Sequence, residues 1–121
     1  MSSLLYNFKS ACVSSVVFKA PRYAAWVNPP KGFYKFNVDG SAIGKPGPAG
    51  IGGVLGDWLG VVKGMFSISI GVADSNFAEL RAILEALEMF GKSEGAGHLG
   101  LIIESDSANA VMWANDKDVL C

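Results

Sequence analysis

Alternation of apolar and polar residues is sharpest over Phe33–Asp39. Tyr34, Phe36 and Val38 share one face of a strand there, and Phe33, Lys35, Asn37 and Asp39 share the other. Asp39 stands at the strand's C-terminal end, and a glycine- and proline-rich loop runs from Gly40 to Gly53. Ile51–Leu55 and Val61–Ile70 read as the next two strands, joined by a turn over Gly56–Gly60. The period then changes, and Asp74–Phe90 reads as a helix. At about 100° per residue, Arg81, Glu85, Glu88 and Lys92 cluster on one solvated face, with Arg81–Glu85 and Glu88–Lys92 at i,i+4 spacing. Glu79 falls on the opposite side, among Ala82, Ile83, Ala86 and Phe90. After the turn Gly91–Gly97, the unbroken apolar run from His98 to Glu104 has the pattern of a strand covered on both faces. Ser105-Asp106-Ser107 then opens a short helix over Ala108–Ala114.

Charge changes the picture at one point. The 121 residues carry a net charge of −1, but the first acid is Asp39, and five of the ten bases precede it: Lys9, Lys19, Arg22, Lys31 and Lys35. The remainder holds five bases against all eleven acids, a net of −6. Binding of nucleic acid by charge alone is thereby excluded, and any polyanion contact must lean on cations or on the N-terminal residues. Residues 1–32, free of acids and rich in serine and aromatics, read as an N-terminal arm or linker, a composition that also fits a targeting segment. Their apolar run Ala11–Phe18 is too short and polar to span a membrane. Trp26-Val-Asn-Pro-Pro30 interrupts regular structure, so the boundary of a single domain, residues 33–121, is expected there. Cys12 and Cys121 make neither a disulfide scaffold nor a zinc spacing. The expected compartment is reducing and intracellular, nucleus or cytoplasm before mitochondrion or plastid.

The glycine loop matches no phosphate-binding motif. Gly40 to Lys45 is one residue short of a P-loop and is followed by Pro46, and the glycines lead into strand-like residues rather than a helix. The candidate chemistry lies in three acids, each with a plain structural alternative. Asp39-Gly40 is a turn signal, Asn76 to Glu79 has the spacing of a capping box, and Asp106 is placed to cap a helix. Taken together, three acids at element ends or on an inward helix face suggest one shared site. Clustered carboxylates repel, and hard oxygen donors favour Mg²⁺ or Mn²⁺ between them. Two such ions can hold the attacking and leaving oxygens of a phosphodiester.

The ordered motifs Phe36-Asn-Val-Asp-Gly-Ser-Ala42, Gly47-Pro-Ala-Gly-Ile-Gly-Gly-Val54, Asn76-Phe-Ala-Glu-Leu-Arg-Ala-Ile83 and Glu104-Ser-Asp-Ser107, with the Trp26–Gly32 lead-in, resemble the ribonuclease H family, in particular its plant reverse-transcriptase-like branch. The resemblance spans roughly residues 26 to 115. It implies an α/β fold: a mixed sheet of three antiparallel strands and then a parallel strand, with flanking helices. It implies Asp39, Glu79 and Asp106 as catalytic metal ligands in hydrolysis of the RNA strand of an RNA–DNA hybrid. Gly40, Ser41, Lys45 and Asn76 become candidates for substrate contacts. Similar domains continue through another strand and a helix carrying a fourth aspartate, and Asp116 and Asp118 follow Asp106 too closely to replace it. The expectation is therefore an incomplete fold, its last strand and helix missing, with weak or no nuclease activity unless a partner completes the sheet. The alternative is a catalytically inactive nucleic-acid- or protein-binding remnant of a retroelement domain.

Overall fold

The computed structural model describes residues 15–19 (backbone only), 26–92 and 100–116. The elements run β1 (Ser15–Lys19), β2 (Phe33–Ala42), β3 (Gly47–Gly56), β4 (Val62–Ala73), α1 (Ser75–Gly91), β5 (Gly100–Ser105) and α2 (Ala108–Asp116). They build a five-stranded sheet in the order β1-β5-β2-β3-β4. β2, β3 and β4 are antiparallel, and β5 lies parallel to β2. The expected mixed sheet with flanking helices is therefore present.

The core forms where the apolar face of the sheet meets α1. Phe36, Val38, Ile51, Leu55, Leu101 and Ile103 pack with Ala78, Ala82, Ile83, Ala86, Leu87 and Phe90 of the helix, and α2 adds Ala110 and Ala114. The small alanines on α1 allow the helix backbone to lie close to β2. The approach is tightest at Gly40, where a Cβ would stand 2.3 Å from the Ala78 carbonyl carbon and oxygen and 2.6 Å from the Glu79 nitrogen. Only glycine fits there.

Several boundaries differ from the sequence reading. β2 continues past Asp39 to Ala42, because residues 39–42 pair with Gly52 back to Ala49. Most of the expected loop Gly40–Gly53 is thus strand, and only residues 43–46 turn. Asp39 does stand at the end of the parallel ladder, whose last pair is Val38 with Ser105. All six residues of β5 are buried, as its unbroken apolar run requires.

On the N-terminal side the described residues add a strand to the expected sheet. The outer edge of β5 is not open: β1 pairs with it in parallel, from Ser15 opposite Gly100 to Lys19 opposite Glu104. The sheet therefore takes in Ser15–Lys19, within the span expected to be an arm or linker. His98, the turn residues 93–97, Cys12, Cys121 and Asp118 lie outside the described residues.

A buried ion pair sits on the sheet beside this edge. Lys35 and Glu104 meet at 3.0 Å, their side chains 3% and 9% exposed. Removing one partner of such a pair strands a charge away from water. Glu104→Leu is expected to lower stability by about 3 kcal/mol, read as a lower urea midpoint at unchanged m-value.

Candidate metal centre

Asp39, Glu79 and Asp106 come from three different elements, yet one carboxylate oxygen of each lies within 4.8 Å of the other two. Strand β2 delivers Asp39, the first turns of α1 deliver Glu79, and the residue directly after β5 is Asp106. Asp39 and Asp106 are exposed and Glu79 is half-buried, so the cluster opens to solvent.

None of the three acids serves the plain structural role its local sequence offers. Helix α1 is capped by Asp74, whose carboxylate accepts from the Phe77 N–H at 2.7 Å. The capping box expected from Asn76 is therefore absent: Asn76 is already inside the helix, and Glu79 lies beyond reach of the cap. Ser107 accepts from the Ala110 N–H at 3.2 Å at the start of α2, which leaves Asp106 without that duty. Asp39 sits in a paired strand rather than a turn.

Glu79 is instead held by β2. Its Oε1 accepts the Gly40 N–H at 2.6 Å, a bond possible only because Gly40 lets the helix descend onto the strand. Burial above all, with hydrogen bonding to Asp39 and Asp106 and the Asp106 charge, raises the Glu79 carboxyl from 4.5 to about 8, against the lowering pull of the Gly40 N–H. An acid whose folded pKa is raised contributes stability below its unfolded value and loses it as pH rises. The metal-free protein is therefore expected to lose thermal stability between about pH 4.5 and pH 8. Glu79→Gln keeps an acceptor for Gly40 but removes the charge. It is expected to flatten this fall, with a higher Tm than the parent at pH 8 and little difference at pH 5, measured by calorimetry in chelator.

Three hard oxygen donors at this spacing are a set that could hold a divalent cation. The added positive charge would offset the burial and the neighbouring acids that together raise Glu79.

The substrate-contact candidates separate. Gly40 is buried, and its N–H is engaged by Glu79. Ser41 is exposed and lines an open trough of about 410 Å³ beside Asp39, together with Gly50, Gly52, Ser67 and Ser69. Lys45 and Asn76, both exposed, line a second hollow of about 450 Å³ with Pro46, Asp74 and Ser75. Ser67 and Ser69 were not singled out from the sequence. Their signal was the Ser-Ile-Ser-Ile alternation of β4, which sets Ser67 opposite Gly52 and Ser69 opposite Gly50 in the register.

Comparison with known proteins agrees with this architecture. Residues 37–119 match the family model described as reverse transcriptase-like. A curated Arabidopsis thaliana protein named for ribonuclease H is 41% identical over 69 residues, which is 57% of this chain and 11% of that protein. The compost-derived LC11-RNase H1 superposes with a TM-score of 0.62 at 33% identity, over 69% of this chain and 61% of its own. Its complex with an RNA/DNA hybrid aligns with a TM-score of 0.56 at 31% identity, over 71% of this chain and 62% of that one. The N-terminal RNase H domain of a Mycobacterium tuberculosis protein shares the fold, with a TM-score of 0.58 at 24% identity over 70% of this chain and 63% of that one. This chain thus spans about a tenth of its curated relative and under two thirds of these enzyme structures. With a family match covering most of its length and the sheet order found here, the chain belongs to the reverse transcriptase-like family of ribonuclease H-like domains.

Proposed function

We propose that this domain binds RNA–DNA hybrids and hydrolyses the RNA strand, with Asp39, Glu79 and Asp106 holding Mg²⁺ or Mn²⁺. The observation that carries the reading is the convergence of three carboxylates from three elements, none of them engaged in capping. The similarity to an enzyme solved with an RNA/DNA hybrid supports the choice of substrate. Divalent cations, when bound, supply Lewis acidity at the phosphodiester and lower the pKa of a coordinated water.

The chain's own groups shape the rest. The Gly40 N–H fixes the Glu79 carboxylate against β2, so the cluster is preorganised rather than assembled by the substrate. Apart from Asp39, the trough is lined by uncharged residues, among them Ser41, Ser67 and Ser69, whose hydroxyls suit sugar and phosphate oxygens. On this reading Ser41, which lines the trough with Asp39, contacts the strand entering the site. Lys45, at the hairpin tip, and Asn76, on the first turn of α1, which line one hollow, on the same reading contact the backbone of the paired strand.

The test is cleavage of a labelled RNA–DNA hybrid by the purified chain with Mn²⁺ or Mg²⁺, against duplex DNA and chelator controls. Metal-dependent scission of the RNA strand alone supports the proposal; intact hybrid at high protein concentration sinks it. The second reading is a binding module without turnover, whose hold on nucleic acid would rest on bound cations because the body from Asp39 onward carries −6. Retention of the hybrid in a mobility shift without cleavage would select it.

A further inference from the structure

Strand β5 is buried along its whole length and delivers Asp106 at its end, so both of its edges must be paired. β2 supplies one edge and β1 the other, both parallel to β5. The chain that leaves Lys19 and re-enters the sheet at Phe33 therefore has to cross over β5. The described end of that crossover, residues 26–30, is fastened to the sheet at one place.

The fastening is Lys35. Its side chain is 3% exposed, and its ammonium donates to the Val27 carbonyl, pairs with Glu104 at 3.0 Å and lies 4.3 Å from the centre of the Trp26 ring. Trp26 fits there because Gly56, the cross-strand neighbour of Lys35, has no side chain; a Cβ would stand 2.8 Å from the Trp26 ring. The indole N–H is in turn held by Asn28 at 2.9 Å. A buried ammonium is tolerated only when its donors are satisfied. Two of the groups that satisfy it belong to the crossover, and the third belongs to β5. Release of the crossover would leave the lysine short of partners.

We propose that residues 15–19 and 26–30 form a strap integral to the domain: β1 closes the β5 edge, and Lys35 latches residues 26–30 onto the sheet, which holds in register the strand that ends at Asp106. The domain thus includes β1, and a protein cut before Phe33 lacks a working part of the fold.

Hydrogen–deuterium exchange on the full chain tests this without reference to metal or substrate. In the parent, those amides of residues 16–19 that face β5 are expected to be protected along with those of β5. Val16→Pro and Val17→Pro probe the ladder; successive residues of an edge strand face opposite ways, so one of the two removes a donor to β5. That variant is expected to exchange about a hundredfold faster at residues 101–105. Trp26→Ala, which leaves β1 unchanged, is expected to accelerate the same amides by a smaller factor while the β3–β4 hairpin stays protected. Loss of the entire fold in a proline variant would also mark β1 as integral. Unprotected amides at 16–19 in the parent, or β5 protection unchanged in all three variants, would overturn the proposal.

Discussion

Asp39→Asn is expected to reduce metal-dependent hybrid cleavage by on the order of 10³-fold or more while leaving the fold intact. The size follows from what the carboxylate would supply: loss of a ligand charge worth several kcal/mol in the transition state, at about 1.4 kcal/mol for each tenfold in rate. The selectivity of the effect follows from the structure. Asp39 is exposed and has no capping duty, and its backbone pairing with Gly52 is untouched by the substitution. Removing one negative charge from a crowded cluster should even favour the metal-free fold. A Tm at or above that of the parent, together with lost cleavage and weakened Mn²⁺ binding by calorimetry, is the signature. Cleavage retained within tenfold of the parent would remove Asp39 from the chemistry.

Gly40→Ala is expected to be among the most damaging single-methyl additions to this chain. The new Cβ meets backbone, the Ala78 carbonyl and the Glu79 nitrogen, rather than a side chain that could swing aside. Relief requires α1 to lift off β2 along the seam where Ala78 and Ala82 are fully buried. Overpacking commonly costs about 1–3 kcal/mol, and an obstacle of rigid backbone sits at the upper end, about 3 kcal/mol. In a domain of this size that corresponds to a fall in Tm of roughly 10–20 °C. The same displacement draws Glu79 away from the Gly40 N–H, so metal affinity should fall with stability. Melting by circular dichroism and a Mn²⁺ titration check the two effects together. A Tm within about 2 °C of the parent would show that the seam is looser than drawn.

Much of the site was legible in the order of residues. The angular position of Glu79 among Ala82, Ile83 and Phe90 marks it as an inward acid, and the continuous apolar run before Asp106 marks a strand that ends at an acid. What remained ambiguous was what each acid does. A capping box, a turn and a helix cap are local explanations, and local sequence cannot reject them. Asp74 and Ser107 reject two of them by capping the helices themselves. The pairing of residues 39–42 with β3 rejects the third.

Sequence by itself determined the period of each element, the inward set of side chains and the three acids, because these depend on the spacing of neighbours along one chain. Only the tertiary structure decided that the acids meet within 4.8 Å, that Gly40 matters for the helix above it, and that Ser15–Lys19 lies against β5. Strand pairing joins segments about 85 residues apart through peptide groups common to every residue. Neither partner carries a local mark of the other, and the choice is made by which buried edge is left to cover.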